Sequence, residues 1–328
     1  MRAGPAGRRI DPLLPPARSV TRVIGVDWHA VFTRELIIAM VLNCTTQAMQ
    51  IGAYAARYAG VITGRIATAI SLFSLVVTAS RLASLFLTPS LGVLADRTAG
   101  VAIAAHRTTV PPELAARFDV QMRLIVAGGS IGIALGAFLM PLFLVLFTRG
   151  IRSFERRGSI PHALARLLDP RVLAEVARAA KLPSPRVLLT FPLSAVPRKL
   201  LIANTVLMGV YAVGVVAAYY ASILALDERT TATGLSGLVN GVGTVAFSLF
   251  VDPTSAYIVD QTVRGERPRT DVRAMIFWLI VTAFIGTVLA QLILYPAAEY
   301  IATAARWFNH PPDYIASLVH LFTHRGRP

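Results

Sequence analysis

Cysteine occurs once in 328 residues, at Cys44, so neither an intramolecular disulfide nor a cysteine metal cluster can organise this chain. Acidic side chains are also scarce: 17 Asp and Glu stand against 32 Lys and Arg, and charged residues make up only 15%. There is no G-x-x-x-x-G-K-[ST], which excludes nucleotide hydrolysis by a P-loop. There is no H-E-x-x-H, and His29, His106, His162, His310, His320 and His324 all fall outside the apolar runs. Asp227 and Glu228, beside Arg229, form the one adjacent acidic pair, so the paired aspartates that would hold Mg²⁺ for diphosphate chemistry are missing. Neither an enzyme nor a cofactor is expected. No short apolar segment with a small-residue cleavage site precedes the first long run, so a cleavable signal peptide is not expected.

What fills the chain instead is apolar sequence, 55% of residues, with a mean hydropathy of +0.61. Six runs, roughly 35–58, 66–95, 120–148, 199–226, 232–259 and 274–301, reach or exceed the crossing length. About 20 residues at ~1.5 Å each span a ~30 Å hydrocarbon core. The expected fold is therefore an all-α membrane protein with six transmembrane helices, kinked where Pro89, Pro141 and Pro253 interrupt the runs. Residues 1–34 read as a flexible basic tail, 35–148 as three spans, 149–198 as a basic connector, 199–301 as three more spans and 302–328 as a C-terminal tail.

The net charge of +15 would suggest nucleic acid in a soluble protein. Here basic residues flanking spans point to anionic membrane lipids, and no nucleic-acid module is present. With six spans both termini share a side, which carries 14 Lys and Arg against 17 on the other. The connector 149–199 holds 11 of those 17, so the positive-inside rule puts it in the cytoplasm and both termini outside. Within it, Ile160, Ala163, Leu164, Leu167 and Leu168, then Val172, Leu173, Val176 and Ala180, recur at helical spacing with arginines between. That pattern suits basic amphipathic helices on a membrane surface, or equally helices packed on the protein itself.

The two halves repeat. At a shift of 164 residues Arg65 falls on Arg229, Pro89 on Pro253 and Asp96 on Asp260. At a nearby shift, Ile131-Gly132 in span three matches Ile285-Gly286 in span six. Two three-span units follow, and because three is odd the second is expected to be inverted, an arrangement that places transporter sites at mid-bilayer between the repeats.

Polar residues run in stripes along these spans. Asn43, Gln47, Gln50, Tyr54 and Arg57 share one helical face of span one. Ser71, Ser74, Thr78, Arg81, Ser84 and Thr88 do so in span two; Ser236, Asn240, Thr244 and Asp252 line span five, and span four adds Asn204, Tyr211 and Ser222. Arg81 stands deep in a run with no other charge between Arg65 and Asp96, where a cation is costly unless it meets protein, water or an anion. Stripes and arginine together favour a wet cationic cavity over interhelical hydrogen-bonded glue, although a structural arginine remains the alternative. Arg57, Arg65 and Arg81 are the expected anion contacts, and Asn43, Gln47, Gln50, Tyr54 and Asn240 the expected polar lining. Asp252, Asp260 and Asp96 are the carboxylates for coupling or gating; Asp252 could instead form a plain ion pair with Arg81 or Arg123. Gly128, Gly132 and Gly136, and Gly237 with Gly241, are expected to be close-packing faces.

Tyr54 through Arg57, Gly60, Gly64 and Arg65, continuing to Ser80-Arg81, together resemble the Amj family (alternate to MurJ) of lipid II flippases. So do Arg229 to Ala232, Asn240-Gly241, Phe250 to Pro253, Ser153-Phe154 and Ile160-Pro161, for a cover of roughly 35–300. The resemblance implies transport of undecaprenyl-diphosphate-linked disaccharide-pentapeptide, lipid II, from the inner to the outer leaflet of the bacterial cytoplasmic membrane. With no ATP motif in the chain, such movement would be driven by an ion gradient or by consumption of product outside. The resemblance leaves open another polyprenyl-linked sugar as cargo, a non-transporting scaffold of wall synthesis, and a homo-oligomer.

Overall fold

The computed structural model describes residues 28–157 and 190–309, with isolated positions Ala174 and Arg178 between them. The expected N-terminal tail up to residue 27, the paired amphipathic helices of the connector and the end of the C-terminal tail lie outside the described residues.

Among the described residues all regular elements are helices, and six helical segments are long and apolar enough to cross a membrane. A short α1 (Trp28–Val31) leads into span one, made of α2 (Arg34–Ala53) and α3 (Ala55–Thr63). The Thr33 hydroxyl starts α2 by accepting from the Leu36 amide at 3.3 Å. Gly64, at φ +70°, ends α3 in the left-handed conformation that glycine adopts without penalty. Span two is α4 (Ile66–Leu85) and α5 (Leu87–Ala104), and span three is α6 (Pro112–Phe138), followed by α7 (Met140–Arg157). Span four is α8 (Arg198–Leu224), and span five is α9 (Arg229–Gly234), α10 (Ser236–Phe250) and α11 (Asp252–Val263). Span six is α12 (Arg269–Asn309), which carries Pro296 inside.

Three interruptions track the three prolines. Phe86 separates α4 from α5 just before Pro89, Leu139 separates α6 from α7 just before Pro141, and Val251 separates α10 from α11 just before Pro253. A proline lacks the amide hydrogen and its ring strikes the carbonyl four residues back, so the turn before it opens. This corrects the limits of span three: it is Pro112–Phe138 rather than 120–148, because the apolar run continues past a break that composition does not mark. The sixth helix likewise runs on to Asn309 rather than stopping at 301. Past the break, α7 buries Phe147 and Ile151, with Phe143 and Leu144 beside them, on Ala55, Ala56 and Ala59 of α3 and Ala69 and Leu72 of α4, and leaves Arg152 exposed.

The most extensive interfaces join α2 to α6 and α8 to α12, and the same contact recurs in both. Asn43 Nδ2 donates to the Ile125 carbonyl at 2.8 Å; Asn204 Nδ2 donates to the Leu279 carbonyl at 2.8 Å. One residue on, a Cβ at Gly132 would strike the Cys44 carbonyl, and one at Gly286 the Thr205 carbonyl. Glycine at these two points lets backbones meet where any side chain would hold them apart. Gly128 and Gly136 extend the face against Met40 and Ala48. Gly237 and Gly241 do not belong to such a face, since nothing lies within 4 Å of where their Cβ atoms would be. Spans three and six then join through Ser130 Oγ donating to Thr287 Oγ1 at 3.0 Å, and through Arg123 and Gln291, each donating to the other's carbonyl.

Spans two and five sit outside this core. The most apolar stretch of span two is 18% buried in protein and that of span five 12%, against 50–56% for spans one, three and four. Span two leans through α4 on α2 and α3, span five leans through α10 on α8, and α4 and α10 share no substantial interface.

Candidate functional site

The breaks in spans one and five set the site. Tyr54 closes α2 and Val251 closes α10, and the first residues of the helices that follow carry Arg57 and Asp252. Between spans one, two, four and five lies a cavity of about 130 Å³. Gln50 and Tyr54 line it from span one, Phe73, Val77 and Arg81 from span two, Met208 and Tyr211 from span four, and Thr244, Phe247, Ser248 and Asp252 from span five. Polar and apolar side chains share the wall, a lining that suits an amphiphile. By position along their helices these residues lie between mid-span and the ends that meet the connector.

Arg81 is exposed into this space, on the wall opposite the span-five residues. Arg57, on the first turn of α3, is only 12% exposed at its side chain. Its Nη2 donates to Asp252 Oδ1 at 2.7 Å, and its guanidinium carbon lies 5.1 Å from the Tyr54 ring centre and 5.4 Å from that of Phe73. Its Nη1 is buried without a hydrogen-bond partner. The ion pair of Asp252 is therefore with Arg57 and not with Arg81 or Arg123. Arg123 bonds Asp119 at 2.8 Å, and Asp119 also accepts from the Tyr220 hydroxyl at 3.0 Å. That partly buried junction of spans three and four was not foreseen, although Asp119 and Arg123 at i, i+4 on one helix were a signal for it.

The other expected site residues separate into two groups. Asn43 and Gln47 are buried against span three, where Asn43 bonds a carbonyl and both side chains crowd Gly129, so they hold helices together rather than line the cavity. Asn240 packs against Gly214 of span four and is absent from the cavity wall. In span two Ser71, Ser84 and Thr88 bond carbonyls of their own helix. Three further groups sit at the ends of the spans. Arg65 is exposed just past Gly64; Asp260 is exposed and pairs with Arg264 at 2.9 Å; Asp96 pairs with Arg229 across spans two and five. Among the described residues no group of three His, Cys, Asp or Glu side chains could hold a metal ion.

A family described as Amj, Alternate to MurJ, matches residues 42–305. The lipid II flippase Amj of Bacillus subtilis (strain 168) is 30% identical over 281 residues, a stretch covering 85% of this chain and 100% of that protein. No solved structure matches the chain.

Proposed function

The chain belongs to the Amj family, and on that premise we propose that it is a flippase carrying lipid II from the inner to the outer leaflet of the cytoplasmic membrane. The single observation that carries the reading is Arg81, exposed into a half-polar cavity inside a multi-pass membrane protein. A lipid-linked diphosphate is the cargo that makes a cation at that depth worth its insertion cost. Its phosphate oxygens match a guanidinium fork, and Gln50, Tyr54, Tyr211, Thr244 and Ser248 offer hydrogen bonds to a sugar-peptide head. The prenyl tail needs a lateral exit, and the unpacked seam between α4 and α10 supplies one. At about 130 Å³ the cavity is below the ~300 Å³ at which ligand pockets begin, so loading must draw spans two and five apart.

The two halves work as an inverted pair with a gate at each end. Arg229 and Asp96 tie spans five and two together at the end facing the termini. A twofold relation in the membrane plane exchanges Arg229 with Arg65 and Asp96 with Asp260. Spans one and five run parallel, and Arg57 bonds Asp252; eight residues further along each lie Arg65 and Asp260. These two are the reciprocal pair, closing the connector end when the other opens. With the connector in the cytoplasm, its basic residues bind anionic lipid at the inner leaflet.

Complementation of a flippase-depleted bacterium tests the reading, with outer-leaflet lipid II measured directly. Arg81→Ala should reach the membrane and fail to complement, and Arg81→Lys should recover part of the activity because charge survives without the fork. Normal growth and normal outer-leaflet lipid II with Arg81→Ala would reject the substrate role, and a scaffold would then account for the phenotype.

A further inference from the structure

Arg57 is held by Asp252 in a way that leaves half of it idle. The contact uses one nitrogen, Nη2, and one oxygen, Oδ1, although a carboxylate and a guanidinium can meet through two parallel bonds. Nη1 is buried with no hydrogen-bond acceptor among the described residues, a costly condition for a cationic donor. The Tyr54 and Phe73 rings also flank the guanidinium, at 5.1 and 5.4 Å, and both rings line the cavity. Arg57 is thus fixed from its flanks and only lightly engaged from the front.

Asp252 differs in mobility and access. Its side chain is 41% exposed, it lines the cavity, and it is the first residue of α11, immediately after the break at Val251. A small turn at that break moves the carboxylate without disturbing the helix behind it. Pro253, next in line, has no amide hydrogen to bind it back.

We propose that Asp252 is a tethered stand-in for the cargo's diphosphate: it occupies Arg57 while the cavity is empty and is displaced when the diphosphate arrives. This rests on the flippase reading for the class of anion. Arg57 is not itself on the cavity wall; its contacts Asp252, Tyr54 and Phe73 are, so an anion that displaces the Asp252 carboxylate gains access to it. A diphosphate presents oxygens enough for both Nη atoms of Arg57, so it satisfies the donor that Asp252 leaves bare. On the far side of the membrane the returning carboxylate competes the diphosphate off again. Asp252 therefore trades affinity for release, and removing its charge should tighten binding while slowing turnover. A merely structural ion pair would do the opposite, losing binding and abundance together.

The test uses purified full-length protein with undecaprenyl diphosphate in detergent micelles as the probe, and undecaprenol and inorganic pyrophosphate as controls. Asp252→Asn should bind undecaprenyl diphosphate roughly ten- to a hundredfold more tightly, the loss of one competing charge-assisted bond. Adding Arg57→Gln should cancel that gain, Asp252→Glu should bind like wild type, and cells carrying Asp252→Asn should show less outer-leaflet lipid II per molecule of protein. Stronger binding of inorganic pyrophosphate as well would locate the gain in the phosphates; a gain shared by undecaprenol would locate it in the tail and overturn the proposal. Unchanged or weaker binding by Asp252→Asn overturns it too. If that variant does not accumulate, Asp252→Ser takes its place under the same criterion. Loss of binding in Arg81→Gln would still support the flippase reading after such a failure, whereas indifference of both Arg57→Gln and Arg81→Gln would sink the reading itself.

Discussion

Gly132→Ala puts one methyl group where spans one and three touch. Its Cβ would meet the carbonyl oxygen, carbonyl carbon and Cα of Cys44, all backbone, so no side-chain rotation relieves it. The helices must part, at the ~1–3 kcal/mol typical of an overpacked core. Parting also stretches the Asn43 bond to the Ile125 carbonyl, now 2.8 Å and worth about 0.6 kcal/mol within a membrane. Alanine returns up to ~1 kcal/mol of helix propensity. The net loss is about 1–3 kcal/mol. Gly237→Ala receives the same propensity gain with nothing within 4 Å to strike, so it should be neutral or stabilising by up to ~1 kcal/mol. The propensity gain is common to both, so at roughly 2–4 °C per kcal/mol the two variants should melt about 3–14 °C apart. Gly286→Ala, against Thr205, should behave like Gly132→Ala. Thermal unfolding of the purified protein, followed by size-exclusion recovery after heating, reads all three. If Gly132→Ala and Gly286→Ala melt like wild type while Gly237→Ala falls, the packing argument and the equivalence of the two interfaces are both wrong.

Further expectations follow from the same contacts. Asn43→Ala and Asn204→Ala should each lower thermal stability by about 0.6–1.7 kcal/mol, the worth of an interhelical bond within a membrane; Asn204→Ala should cost the more, since its amide also donates to Thr282 Oγ1 at 2.8 Å. Equal cavity-ligand binding in both variants, once they are folded, would confirm that Asn43 acts through packing and not through cargo. In a Cys44→Ala background, cysteines at 96 and 229 should cross-link readily and block transport. Cysteines at 65 and 260 should cross-link only while the protein is turning over, and their failure to do so in active membranes would reject the reciprocal gate.

How much of this was legible in the sequence depends on whether a signal was local. Pro89, Pro141 and Pro253 announced the breaks at Phe86, Leu139 and Val251 because the constraint lies in the residue itself, whereas the breaks at Tyr54 and Leu235 carry no such mark. The span-one stripe, expected as one face, is divided in the structure. Asn43 and Gln47 turn to span three while Gln50 and Tyr54 reach the cavity, since 3–4 spacing drifts around the helix and α2 ends at Ala53. Periodicity says which residues share a side and not what stands opposite. The same limit explains the partner of Asp252: Arg57 is 195 positions away, and only the packing of α3 beside α11 brings them together. Asn240 looked like lining for its polarity, but Gly214 leaves a hollow on α8 that receives it. The extra helix α7 stayed hidden because its first turns continue the apolar run of span three.

Spans two and five face lipid over most of their surface, and this makes them mechanically cheap to move. A helix that swings through hydrocarbon exchanges one set of acyl contacts for another, with no hydrophobic penalty of the kind water would impose. What resists the swing is the bilayer's own elasticity, a fraction of a kcal/mol per Å of mismatch, acting on helical segments of 39 and 35 residues that overreach the hydrocarbon core. The lipid matrix is then a spring in series with the protein. Acyl-chain length and membrane tension should set the rate of passage as directly as any side chain, slowing it in thick bilayers and quickening it in thin, compliant ones.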